Sequence, residues 1–246
     1  MPAHHAISRS IALLLGALIV TAFPAHAGLN RGQAAYDRAD YATARKELMP
    51  LAEQGNAQAQ YRLAKMANLG QGLPPDKKEA AKWFHLAAQQ GLAAAQGALG
   101  YLCLVGEGVS QNNDLALKWT RKAAAQGDAT AQFNLSVMHG EPFGIQKNPA
   151  ESLKWLRKAA DQRHVGALNT LGSIYEKGQG GARPNPVFAY VLFAASAEKG
   201  DSAAAAKRKT LETGMSAKDL QAGQALARKW KPGTSFVNVA GSGATL

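Results

Sequence analysis

The sequence predicts an all-α protein, a right-handed α-solenoid of stacked antiparallel helix pairs with a 36-residue period, on three observations. First, four columns repeat at one step: Trp83, Trp119, Trp155; Gln54, Gln90, Gln126, Gln162; Leu63, Leu99, Leu135, Leu171; and Ala59, Ala95, Ala131, Ala167. A fixed period of this length is the signature of a stacked-repeat architecture. Second, each period holds two helix-spaced apolar patterns, each closed by glycine. Third, the 246 residues are 46% hydrophobic but only 7% aromatic, with alanine dominant. That is enough apolar surface for a core, in a composition that favours helix over sheet.

The elements follow in chain order. Residues 1–27 read as a signal peptide: Arg9 precedes the apolar run "IALLLGALIV", and Ala25 and Ala27 stand at signal-peptidase spacing before Gly28. The run is too short to span a bilayer with ease. No cysteine follows it to carry a lipid anchor, and no later stretch is apolar enough to cross a membrane. The expected product is exported, periplasmic or secreted. Residues 28–56 are predicted to form an N-terminal capping helix pair whose linker is reduced to "RAD".

Four repeats follow, 57–92, 93–128, 129–164 and 165–201. In the first, Ala59, Leu63 and Ala67 make one helix face. Ala80, Trp83, Phe84 and Ala87 make the second, at i, i+3, i+4 and i+7. Gly70 and Gly106 are placed to end the first helix in a left-handed conformation. Asp76, Asn112, Asn148 and Asn185 are placed to cap the second. The last of these is one residue late, because "GQGGARPN" carries an insertion. The alanine columns let helices approach closely. Each tryptophan is expected as a core plug burying about 150–250 Å². One unit cannot cover its own apolar face, so stability is expected from nearest-neighbour stacking. Residues 202–231 read as C-terminal capping helices, with Ser216 as an N-cap and Asp219 three residues on. The Gly/Ser-rich residues 232–246 are expected to be disordered.

The stretch "AAAQGALGYLCLVGEGVSQNNDLALKWTRKAAAQG" resembles the SEL-one-like repeat (SLR), a relative of the tetratricopeptide repeat, and the resemblance extends over about residues 32–200. It implies adaptor service in multiprotein assemblies, in the cell envelope or in host interaction, with a protein or peptide as partner. Cysteine-rich members of the family have been linked to β-lactam binding. They carry paired cysteines in each unit, which this chain lacks. Other departures stand out. Pro142 occupies a loop-glycine position, and Leu192 replaces the tryptophan. A column usually filled by tyrosine holds Ala67, Cys103 and His139, and keeps only Tyr175. Arg163 stands where "QG" supplies glycine, at a cost of about 1 kcal/mol in a left-handed conformation. A distorted junction is therefore expected after the third unit.

No catalytic or metal-binding set is present. H-E-x-x-H, paired zinc cysteines, a phosphate loop and G-x-S-x-G are all missing. No cofactor is expected. "SAEK" at Ser196–Lys199 fits the S-x-x-K spacing of penicillin-recognising serine enzymes but lacks their other elements, so a β-lactam-acylating hydrolase is a remote alternative. "NLS" at Asn134 matches a glycosylation sequon but sits mid-helix. His85, His139 and His164 show no ligand spacing, and His139 is expected near a core-facing column. Cys103 is the sole cysteine and reads as a small core residue.

Two surfaces remain as partner sites. The formal net charge is +11, and Lys82, Lys118 and Lys154, with Arg121, Lys122, Arg157 and Lys158, recur in columns expected to lie opposite the tryptophan face. They offer an alternative role as a binder of anionic cell-wall polymers, whereas export argues against nucleic acid. The second surface is the groove that first helices line in a tetratricopeptide-like solenoid. Tyr61, Arg62, Lys65, Tyr101, Phe133, Asn134 and Thr170 vary there while the framework does not.

Overall fold

The computed structural model describes residues 27–140, 147–179 and 182–241; residues 1–26 of the segment expected to be a signal peptide, and Pro142, lie outside the described residues. Among the described residues there are thirteen helices and no strand. The chain divides into two compact units, Met1–Gln111 and Asn112–Leu246.

The first unit holds α1 (27–37), α2 (Tyr41–Glu53), α3 (Ala57–Leu69), α4 (Lys77–Gln89) and α5 (Ala93–Val105). From α2 to α5 each helix packs on the next. Asp76 caps α4 by accepting from the Lys78 and Glu79 amides, and Gly70 and Gly106 end α3 and α5 in the left-handed region. Gly108 is required for a second reason. At φ +72°, a Cβ there would lie 1.9 Å from the Lys77 carbonyl oxygen. The loop after α5 therefore sits directly on the start of α4, where Lys77 also pairs with Glu107 at 3.0 Å.

The second unit holds α6 (Asn113–Ala125), α7 (Ala129–Gly140), α8 (Pro149–Asp161), α9 (Val165–Lys177) and α10 (Pro186–Ala197). These are followed by α11 (Ser202–Gly214), α12 (Ala217–Lys229) and α13 (Phe236–Ala240). Helices α6 to α11 pack in succession, and α12 also packs on α10. Asn112, Asn148 and Asn185 each accept an amide hydrogen bond from three residues on, as does Ser216.

The alanine column is fully buried at Ala59, Ala95, Ala131 and Ala167. The tryptophan column is not. Trp83 is buried, but Trp119 and Trp155 are only half-buried, which corrects the expectation of three core plugs. Leu192 at the equivalent position of α10 is fully buried. That helix is packed on by α9, α11 and α12, so an amphipathic indole has no open side to face there.

A second, buried polar column accompanies the alanines. Gln60, Gln96 and Gln132 donate from Nε2 to the carbonyls of Ala52, Ala88 and Ala124, each in the last turn of the preceding helix. They add a second hydrogen bond to helix-end carbonyls that already accept from the Gly55, Gly91 and Gly127 amides. Gln90 and Gln162 donate in turn to Gln60 and Gln132, at 2.8 Å each. The first helices of the pairs have caps as well: Asn56, Asp128 and Asp201 accept from Ala59, Ala131 and Ala204. His164 does the same through Nδ1.

The expected disorder of the tail is contradicted for the described part of 232–246. Phe236 is buried against Tyr175, Phe188 and Trp230, with ring centroids 6.5, 5.5 and 4.9 Å away. The Gly233 amide donates to the Asp161 carbonyl at 2.9 Å, and the Phe236 amide to Asp161 Oδ1 at 2.6 Å. One aromatic anchor, Phe236, and two long-range hydrogen bonds order a segment whose composition alone favours a loop. Tyr175 sits edge-on to Phe188 in the same cluster, which accounts for its retention in this unit.

Arg163 closes the arrangement. It does adopt a left-handed conformation, φ +61°. The junction is docked rather than merely distorted. Arg163 is buried, stacks its guanidinium 3.9 Å from the Trp230 ring centroid, and donates from Nη2 to the Trp230 carbonyl at 2.6 Å.

Candidate partner-binding site

Most of the sequence-predicted groove residues are engaged within the chain. On α3, Tyr61 tilts against Phe84 at 5.8 Å, and Arg62 and Lys65 lie over the Tyr36 ring at 5.3 and 5.5 Å. Cationic side chains held on an aromatic face are restrained but keep their charge toward solvent. On α7, Phe133 stacks on His164 at 4.8 Å, and Asn134 is half-buried. On α9, Thr170 donates to the Gly166 carbonyl at 2.8 Å. Tyr101 on α5 is different: it is 49% exposed.

Tyr101 is not isolated. Val105, one turn along α5, is also exposed, and so are Leu69 at the end of α3 and Leu73 in the loop beyond it. Leu69 and Val105 are equivalent positions one period apart, as are Lys65 and Tyr101. The C-terminal halves of two successive first helices thus carry one matching apolar pair, Leu69 and Val105, with Tyr101, Arg62 and Lys65 beside it. Composition hid this set, because single exposed apolar residues are ordinary. The signal was their shared repeat register.

The basic columns do not lie opposite the tryptophans. Lys82 Nζ is 5.6 Å from the Trp83 ring centroid, Lys122 is 4.8 Å from Trp119, and Lys154 and Lys158 are 5.8 and 4.3 Å from Trp155. The columns therefore act first as lids on the indoles, buried at Trp83 and half-open at Trp119 and Trp155, with their aliphatic stems covering apolar surface. Lys154 also pairs with Glu151 at 2.9 Å. Lys118 and Lys158 are exposed, and Arg121 is too, while Arg157 is half-buried.

The S-x-x-K reading fails on access. Ser196 has no exposed surface, and its hydroxyl donates to Asp201 Oδ2 at 3.1 Å, whereas Lys199 is exposed beyond the helix end. That aspartate also caps α11 and accepts from Asn169, and the Asn169 hydrogen bond is the main cause of its lowered pKa. The site is a structural knot at a helix junction. Cys103 is buried, and burial pushes its thiol pKa up, away from the nucleophilic thiolate. Burial lowers the pKa of His139, with Arg121 adding to the effect, and burial likewise lowers that of His164. Among the described residues no group of three or more His, Cys, Asp or Glu is placed to hold a metal ion. None of the described helices is long and apolar enough to cross a membrane.

Consecutive helices packed in pairs on a buried alanine–glutamine spine define a helical-repeat protein, an α-solenoid. The Sel1 repeat family model matches residues 57–92, 93–128, 129–164 and 166–201, and the chain belongs to that family. Repeats of this family generally serve in protein–protein interaction. Among solved structures, one similar chain is a protective antigen present in uropathogenic Escherichia coli strains and displaying an SLR fold. It is 30% identical with a TM-score of 0.74 over 84% of this chain, which spans only 45% of that one. A Sel1 repeat protein from Oxalobacter formigenes is 34% identical with a TM-score of 0.63, over 72% of this chain and 70% of that one. Comparison with curated proteins gives no match.

Proposed function

We propose that the protein is an exported scaffold that holds a protein or peptide partner, in the cell envelope or outside the cell, on the first-helix surface of its N-terminal unit. One observation carries the choice of surface. Of the five exposed large apolar side chains among the described residues, Leu69, Leu73, Tyr101 and Val105 fall on α3, its following loop and α5, with Leu69 and Val105 in matching repeat register, and only Leu115 lies elsewhere, on α6. Exposed apolar groups beside retained cations suit a partner with apolar side chains flanked by acidic ones, because burial supplies affinity and charge supplies orientation. The export reading rests on the leader-like residues 1–27. The antigen to which the chain is similar agrees with a surface or secreted setting.

Site-specific photo-crosslinking in intact cells tests the reading. A crosslinker at position 101 is expected to capture a discrete protein partner, and the same crosslinker at position 118 is expected to capture none. Equal capture at both positions, or capture at neither, counts against the assignment. Fractionation of the cells tests export separately: the chain is expected outside the cytoplasm and shortened before Gly28.

A further inference from the structure

The second unit contains a cleft of about 580 Å³ that neither the repeat pattern nor the proposed partner surface uses. That volume lies within the range of roughly 300–1,000 Å³ common to small-molecule sites. Its walls come from the turn after α8, the end of α10 and the end of α12. Arg163, Lys199, Arg228 and Lys231 line it, with Glu198 and the Trp230 indole. The charged lining is four cations against one carboxylate.

Three features set this cleft apart from an ordinary basic surface. Lys199, Arg228 and Lys231 are exposed and make no ion pair among the described residues. Arg163, only 8% exposed, has Nη2 on the Trp230 carbonyl, but its Nε is buried without a hydrogen-bond partner. A buried guanidinium N–H with no acceptor is costly, and an anion beside the guanidinium offsets that cost by its charge. Finally, the equivalent turns at Gly91 and Gly127 carry glycine, with open space around them. The chain departs from its repeat at one of the turns that line this cleft.

We propose that the cleft binds the oxyanion group of a small ligand, a phosphate or a carboxylate. Arg163 supplies the buried donor, and Lys199, Arg228 and Lys231 supply the surrounding charge. Guanidinium and ammonium groups around an oxyanion give charge-assisted hydrogen bonds, the strong class. Glu198 sets a limit on the ligand's own charge, since it repels any anion placed near it.

The test titrates the full chain at low ionic strength with inorganic phosphate and, separately, with acetate. The Trp230 indole N–H resonance is followed, assigned with Trp230→Phe. A saturable shift is expected, and Lys199→Ala/Lys231→Ala, two exposed changes outside the helices, should weaken it by about tenfold or more. Saturation by phosphate alone points to a phosphate ester, by acetate alone to a carboxylate, and by both to a general oxyanion site. No saturable shift with either anion, or equal shifts in the parent and the double variant, overturns the proposal. In that case the cations serve only the carbonyl ends of α10 and α12.

Discussion

Replacing Arg163 with glycine sets a local gain against a long-range loss. The residue sits at φ +61°, so glycine relieves about 1 kcal/mol of left-handed strain. The loss is larger. The 2.6 Å hydrogen bond from Nη2 to the Trp230 carbonyl belongs to the charged class, worth about 1.5–3 kcal/mol. Guanidinium stacking 3.9 Å from the indole adds about 1–2 kcal/mol in a desolvated setting. Part of this sum is already spent on burying the cation, since burial lowers the Arg163 pKa. The balance is a destabilisation of about 1–2 kcal/mol, felt chiefly in the C-terminal cap. Urea melts give the total. Hydrogen exchange at the Gly233 and Phe236 amides, both bonded to Asp161, locates it. Exchange there should rise about tenfold. A higher midpoint with unchanged protection at those two amides refutes the latch, because strain relief would then have outweighed all the contacts.

Four further outcomes are expected. Gly108→Ala should cost about 3 kcal/mol or more by thermal melt, because its Cβ would meet the Lys77 carbonyl oxygen at 1.9 Å, whereas Gly91→Ala, with nothing within 4 Å, should cost only about 1–2 kcal/mol. Gln132→Ala should cost about 1 kcal/mol, as it removes one of the two hydrogen bonds on the Ala124 carbonyl and one of the two acceptors of Gln162, the Gly127 amide and carbonyl remaining as partners. Acidification should destabilise the second unit. His139 and His164 both have pKa values lowered by burial, so the unfolded chain takes up protons first, and stability falls as pH drops from about 6.5 through the folded values. A flat profile of urea midpoints from pH 7 to 5 would count against that account. Tyr101→Ala should change the melting midpoint by no more than about 0.5 kcal/mol while abolishing partner capture, since the ring is half-exposed.

The repeat made most of the architecture legible before any coordinates. Period, helix spacing, glycine ends and asparagine caps are local features, and local features survive translation into structure. What stayed hidden depends on contacts between distant residues. The Arg163–Trp230 bond spans 67 residues and the Asp161–Phe236 bond spans 75, so nothing near either end announces the other. Gln60, Gln96 and Gln132 were periodic but unread, because polar residues on an apolar face are normally solvated and these turn inward to helix-end carbonyls. Half-burial of Trp119 and Trp155 was equally out of reach. Size sets how much surface an indole can bury, but its neighbours decide how much of it they cover.

These hidden contacts also separate framework from function. The alanine column, which repeats without change, and the inward glutamines of the first three repeats, replaced by buried Leu168 in the fourth, satisfy backbone and volume demands of the stack. A framework satisfied that way places no demand on positions such as Lys65 and Tyr101, which share a register and differ in chemistry. Freedom at those positions is what a binding scaffold needs, since a new partner can be met without disturbing the stack. Arg163 shows the opposite case. There a framework position itself departs, and the strain it accepts is balanced by a cap that ends the array and brings the cationic cleft together. A departure that costs stability in its own turn persists where it has something else to hold.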